Sequence, residues 1–175
     1  MNMLPKEKIV IRTANTKDAP RILQIEREVV SEETFLITSL EEFDKTVDQQ
    51  SDWIENMIHN DRETMLVAEY SGQVVGWIVF MSQNRIRLSH TGSFGMMIEK
   101  NFRNMGIGKL LINGILDWAE VNPCIEKVSL GVFSTNKRAI ALYKKMGFIE
   151  EGRKVREFKI SDTEYVDDVL MYKLV

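Results

Sequence analysis

Two apolar, β-branched runs, Thr64–Tyr70 and Gln73–Met81, are separated only by Ser71-Gly72. Valine and isoleucine crowd a helix and suit a pleated surface. A two-residue link ending in glycine is the signature of a tight antiparallel hairpin. The chain is therefore organised around a sheet, and the remaining segments must supply its other strands and its covering helices.

The flanking pattern does so. Lys8–Thr13 reads as a short strand. Thr16 or Asp18 is then expected to cap a helix whose apolar residues Ile22, Ile25, Val29 and Val30 recur at helical spacing. Ser39, with Glu42 three residues on, carries a capping-box signature for a second helical region reaching about Asn60. Its expected inner face is Phe43, Val47, Ile54, Met57 and Ile58. A strand follows over His90–Ile98. A helix opens at Met105 with Ile107, Leu111, Gly114, Ile115 and Trp118 along one face, and stops before Pro123. Val128–Phe133 reads as a buried strand, and Asn136–Met146 as a helix closed by Gly147 at its C′ position. Two final strands, Phe148–Ile160 and Thr163–Leu174, meet at Ser161-Asp162. The order β-α-α-β-β-β-α-β-α-β-β predicts an α+β fold, a mixed sheet flanked by helices, and not the steady alternation of a doubly wound sheet.

Composition narrows the function. At 175 residues, with 44% hydrophobic and 28% charged content, the chain fits one globular domain over 1–175, and no linker or repeat divides it. A formal net charge of −3 argues against general nucleic-acid binding. Cys124 stands alone and the histidines are His59 and His90, which speaks against a disulfide framework and a structural metal. No run of about 18 apolar residues suggests a membrane span, and Met1–Lys8 lacks the apolar core of a signal peptide, so a cytoplasmic protein is expected.

Chemistry enters at Arg103-Asn104-Met105-Gly106-Ile107-Gly108-Lys109, where a strand gives way to a helix. Glycines let backbone N–H groups approach a ligand closely, and the amides of a first helical turn attract phosphate. Gly106 alone is compatible with a packing role; beside Gly108, Arg103 and Lys109 it reads as a pyrophosphate cradle. Two familiar cradles fail on spacing. A P-loop needs a glycine where Arg103 stands and a hydroxyl where Leu110 stands, which speaks against nucleotide hydrolysis. A dinucleotide fingerprint needs a glycine where Leu111 stands.

What fits is [Gln/Arg]-x-x-Gly-x-[Gly/Ala], matched in full by Arg103 to Gly108. Here the chain resembles the GNAT superfamily of N-acetyltransferases, whose hallmark segment binds the pyrophosphate of coenzyme A. Asn136 to Phe148, with its Leu142-Tyr143 and Gly147-Phe148 pairs, is similar to the family's second characteristic segment. The likeness is specific over about Gly92–Phe148 and topological before it. One departure is Lys100, where many members have proline. The resemblance implies a GNAT fold, with a mostly antiparallel, splayed sheet.

It also implies parts for acetyl transfer from acetyl-CoA to an amine, with no metal. The diphosphate would rest on the Met105, Gly106, Ile107, Gly108 and Lys109 amides, with Asn104 in the same turn and Arg103 as counter-charge. The pantetheine arm would lie along Met96, Met97 and Ile98 like an added strand, and an N–H near Met97 would polarise the thioester oxygen. Asn136 would bond the arm from the other side, and Lys137 and Arg138 would meet the 3′-phosphate. Tyr143, a core residue on periodicity alone, would be the general acid that protonates the departing thiolate.

The proton acceptor stays open among His90, a carboxylate of Glu28, Glu32 or Glu33, and Asp167 or Asp168. A small-molecule amine, such as a polyamine or amino acid, is favoured as acceptor over a protein N-terminus. Acidic residues between Glu28 and Asp44 would suit a cationic amine. A non-catalytic acyl-CoA sensor is the alternative from another class. Many members of the family dimerise, and the sequence leaves a homodimer open.

Overall fold

The computed structural model describes residues 9–175. Its elements are β1 (Ile9–Thr13), α1 (Ala19–Val30), α2 (Val47–Ile58), β2 (Thr64–Tyr70), β3 (Gln73–Ser82), β4 (Thr91–Ile98), α3 (Ile107–Val121), β5 (Lys127–Phe133), α4 (Lys137–Lys145), β6 (Ile149–Lys159) and β7 (Tyr165–Leu174). They follow the expected order; Lys8, placed in the first strand by the sequence, lies outside the described residues. One sheet runs β1-β2-β3-β4-β5-β7-β6. Every neighbouring pair is antiparallel except β4 and β5. Among the described residues no helix is long and apolar enough to cross a membrane.

The central hairpin turns as its sequence demands. Ser71 and Gly72 both take positive φ (50° and 83°), the backbone of a type I′ turn, whose twist matches that of the strands it joins. Along β2 the side chains alternate faces. Leu66 and Ala68 pack under α3 with Ile107, Leu111 and Ile115. Met65 and Val67 pack under α1 and α2 with Ile22, Ile25, Ile54 and Met57. The sheet is thus sandwiched between two apolar layers.

The caps differ from expectation in instructive ways. Asp18 stands at the N-cap of α1 as expected but makes no side-chain cap bond to that helix; the capping is done one turn earlier, where the Asn15 side chain accepts from the Lys17 N–H and the Asp18 carboxylate accepts from the Asn15 N–H. Thr16–Asp18 form a single 3-10 turn before α1. The Ser39/Glu42 box is real but closes only the 3-10 turn Leu40–Glu42. A second box, Thr46/Gln49, opens α2. A capping box satisfies the N–H groups of one turn and says nothing about how far the helix then runs. With that start, α2 turns Gln50, Ile54 and Met57 inward and leaves Val47 44% exposed.

Candidate active site

β4 and β5 pair only over Thr91–Lys127, Gly92–Val128 and Ser93–Ser129, then part. Beyond that point β5 remains held by β7 and β4 by β3, so the sheet splays open between them. The gap is the floor of a cleft of about 940 Å³, bounded by the C-terminal half of β4, the start of α3, α4, and the segment after α1.

Register decides which main-chain groups face the gap. The Gln83 N–H bonds to the Thr91 carbonyl, and the Glu99 N–H bonds to the Val75 carbonyl. The β3–β4 register runs unbroken between them. In an antiparallel pair, alternate residues turn both main-chain groups to the same neighbour. Thr91, Ser93, Gly95 and Met97 therefore face β3, while Phe94, Met96 and Ile98 face the gap. This corrects the expectation for Met97: it lines the cleft, but its N–H is engaged toward β3 opposite Trp77. The Ser93–Ser129 pair takes up the Phe94 N–H, so the donors available to a thioester oxygen or a pantetheine arm are those of Met96 and Ile98.

The cradle forms where β4 leads through a 3-10 turn, Lys100–Phe102, into α3. Asn104 and Gly106 take positive φ (69° and 84°). That left-handed step at Gly106, easy only for glycine, aims the next amides outward. The Leu110 N–H closes onto the Gly106 carbonyl, so the N–H groups of Ile107, Gly108 and Lys109 precede the first intrahelical bond of α3. Met105 is not part of the cleft lining, whereas Asn104, Gly106, Ile107, Gly108 and Lys109 are. Arg103 also lines the cleft, with its guanidinium already engaged. Its two Nη atoms donate to Glu32 at 2.7 and 2.6 Å, and its Nε donates to the Ile98 carbonyl at 2.9 Å. Arg103 thereby depresses the Glu32 carboxyl below its ordinary range.

α4 supplies the opposite wall. The Asn136 Oδ1 accepts from the Ala139 N–H at 3.1 Å, capping the helix, so its amide N–H₂ is the part left for a ligand. Arg138 lines the cleft and Lys137 does not. Tyr143 is only 9% exposed, packed edge-on against Phe94 and Phe148 at ring-centroid distances of 5.8 and 6.1 Å. Burial pushes its phenol up to about 12, so it is protonated at neutral pH.

The other half of the cleft is apolar with carboxylates at its edge. Phe133 and Phe158 stack at 4.2 Å, and Phe35, Leu36 and Ile37 line the facing wall. The sequence reading missed this aromatic pair, because it joins two strands far apart in the chain. Glu26 and Glu32 reach the cleft, where Lys45 and Arg103 pair with them. Glu28 bonds instead to Gln24, and neither Glu28 nor Glu33 is part of the lining. Asp167 accepts from the Arg156 N–H, stitching a bulge in β6. Asp168 lines the cleft and is 8% exposed.

His90 is not brought to the site. It precedes β4, its carbonyl accepts from the Glu126 and Lys127 N–H groups, and it is not among the lining residues. It stands seven residue steps before Met97, about 23 Å at the usual rise. His90 is therefore not positioned to serve as the base.

Comparison with known proteins agrees with this geometry. The family model described as "Acetyltransferase (GNAT) family" matches residues 26–148. The chain is 31% identical to the L-amino acid N-acetyltransferase AaaT of Escherichia coli (strain K12) over 168 residues, covering 95% of this chain and 98% of that protein. It is 30% identical to a spermidine N(1)-acetyltransferase of Vibrio cholerae over 131 residues, 74% of each. A crystal structure of a GNAT-family acetyltransferase from Streptococcus pneumoniae superimposes with a TM-score of 0.89 at 28% identity, covering 95% of this chain and 99% of that one. The splayed sheet, the glycine cradle and the segment carrying Tyr143 thus have one explanation: this chain belongs to the GNAT family of acetyltransferases, which draw the acetyl group from acetyl-CoA.

Proposed function

We propose that the protein transfers an acetyl group from acetyl-CoA to the primary amine of a small molecule, by direct attack within a ternary complex. The observation that carries this reading is the cleft itself. One continuous space joins an unpaired stretch of strand edge and a helical cradle to an apolar pocket edged with carboxylates. The residues fit acetyl-CoA. The edge N–H groups of Met96 and Ile98 suit an extended amide-bearing arm, and the first-turn amides of α3 with Lys109 suit a diphosphate. Acetyl-CoA would supply an activated thioester; the chain would do the rest.

One of the Met96 and Ile98 N–H groups would polarise the thioester oxygen while the other bonds the arm, and Asn136 and Arg138 would fix the arm and its phosphates from α4. Tyr143 would hold a proton ready for sulfur. A phenol at about 12 is a reluctant donor to a thiolate whose conjugate acid lies near about 8.5. The transfer becomes favourable when the nitrogen forming the new amide gives its own proton to the phenolate in the same step.

The carboxylates that reach the cleft support a cationic acceptor, and the amino-acid and spermidine activities named for the relatives support a small one. A reaction fed by acetyl-CoA fits a cytoplasmic setting. The test is an acetylation screen over polyamines, amino acids and N-terminal peptides. Turnover of one of the first two groups is expected. Activity confined to peptides would overturn the small-molecule reading, and a protein that binds acetyl-CoA yet acetylates nothing would be a sensor.

A further inference from the structure

Of the carboxylates that reach the cleft, Glu26 lies 3.2 Å from the Lys45 ammonium and Glu32 is gripped by Arg103. Asp168 differs. Among the described residues the nearest cation to it is Lys154 on β6, whose Nζ stands 4.0 Å from Oδ2, beyond hydrogen-bond reach. It is nevertheless buried, and burial is costly for a carboxylate without a close counter-ion.

Its position explains how it enters the cleft. Asp168 lies on β7 opposite Phe133 of β5. A Cβ built on Gly131 would fall 2.7 Å from Asp168 Oδ1 and 3.1 Å from Oδ2. The carboxylate therefore occupies the space in which any other residue at 131 would begin its side chain. Glycine on β5 lets a carboxylate from β7 lean over the strand into the gap.

We infer that Asp168 is the group that receives the proton of the acceptor's ammonium, in a seat that Gly131 keeps open. The inference rests on the transferase reading above. The charged groups facing Asp168 come from β6: Lys154, which favours its ionised form, and Glu157, which opposes it; from β5 the Val132 N–H supports ionisation. Burial outweighs them and lifts the carboxyl above the usual carboxylate range, making it a better base than a solvated aspartate.

The proton count closes. The ammonium gives one proton to Asp168 and becomes a neutral amine, whose lone pair forms the C–N bond. The C–S electron pair leaves on sulfur, which takes the Tyr143 proton. The second nitrogen proton restores the phenol, and Asp168 releases its proton to water. The products are an amide, a thiol and one proton.

The experiment compares ethylamine, which is charged at neutral pH, with trifluoroethylamine, which is largely neutral there. Both are small enough for the pocket. Asp168→Asn should lower kcat/KM for ethylamine by about 100-fold or more, the usual worth of a positioned base, and spare trifluoroethylamine to within about tenfold. The ethylamine loss should shrink as pH rises and the free amine becomes abundant. Gly131→Ala, whose methyl displaces the carboxylate, should reproduce the pattern, and both variants should keep the thermal shift given by acetyl-CoA. Equal losses on both amines, or none on ethylamine, would overturn the assignment alone. A wild-type protein that binds acetyl-CoA and acetylates neither these amines nor any polyamine, amino acid or peptide would overturn the transferase reading instead.

Discussion

The Arg103 guanidinium holds the Glu32 carboxylate through two hydrogen bonds, of 2.7 and 2.6 Å, so within the cleft the arginine of the glycine motif is joined to the segment after α1. Both side chains are partly exposed. Such a pair is worth on the order of 1 kcal/mol or less and exchanges readily for a better anion.

A diphosphate is such an anion. Glu32→Ala should free Arg103 and tighten CoA binding by up to about fivefold, which corresponds to about 1 kcal/mol. The same change should raise KM for the amine, because the acceptor wall loses its tether. Calorimetric titration with CoA checks the first effect; weaker CoA binding would show that the ion pair builds the site.

Tyr143→Phe removes the proposed acid while leaving the ring that packs on Phe94 and Phe148. Turnover should fall by about 100-fold or more with CoA affinity unchanged. Unaltered turnover would remove the role.

At the far side of α1, Asp18 is buried yet its carboxyl is held below the ordinary range. Burial works against this, but two 2.8 Å bonds from Arg12 and the Asn15 N–H outweigh it. A depressed carboxyl contributes stability that is present above its unfolded-state pKa and lost as pH falls through the folded-state value. Asp18→Asn should therefore destabilise by about 1–3 kcal/mol at neutral pH. The difference should narrow in acid, and denaturant melts at several pH values would show it. A difference independent of pH would point to lost packing instead.

Gln50 is fully buried on α2, and neither of its side-chain amide atoms has a hydrogen-bond partner among the described residues. Gln50→Leu should stabilise the fold by about 1 kcal/mol, since it removes unsatisfied polar groups at similar volume. A loss of stability in urea melts would indicate that a buried water serves the amide.

The element order and the cradle were legible because both are local. Ser71-Gly72 defines its own turn, and Arg103 to Gly108 carry their chemistry at fixed spacing. Met97 was misread because the side to which a strand residue turns its N–H depends on pairing with β3, a relation no single segment contains. His90 was misread for a similar reason: nearness in sequence to a site means little along an extended strand. Asp168 was visible as a candidate, but its distinction comes from Gly131 on another strand. The Ser39/Glu42 signature was correct chemistry attached to a shorter element than expected.

The central claim is that the cradle and the β4 edge bind acetyl-CoA. Thermal unfolding with acetyl-CoA, CoA, ATP or NADH added separately tests it most directly. A ligand at about 100 times its Kd adds about 2.7 kcal/mol of stability, a readily measured shift. Acetyl-CoA and CoA should raise the Tm while ATP and NADH leave it in place. A melting curve unmoved by millimolar acetyl-CoA would contradict the account and return Gly106 and Gly108 to a packing role.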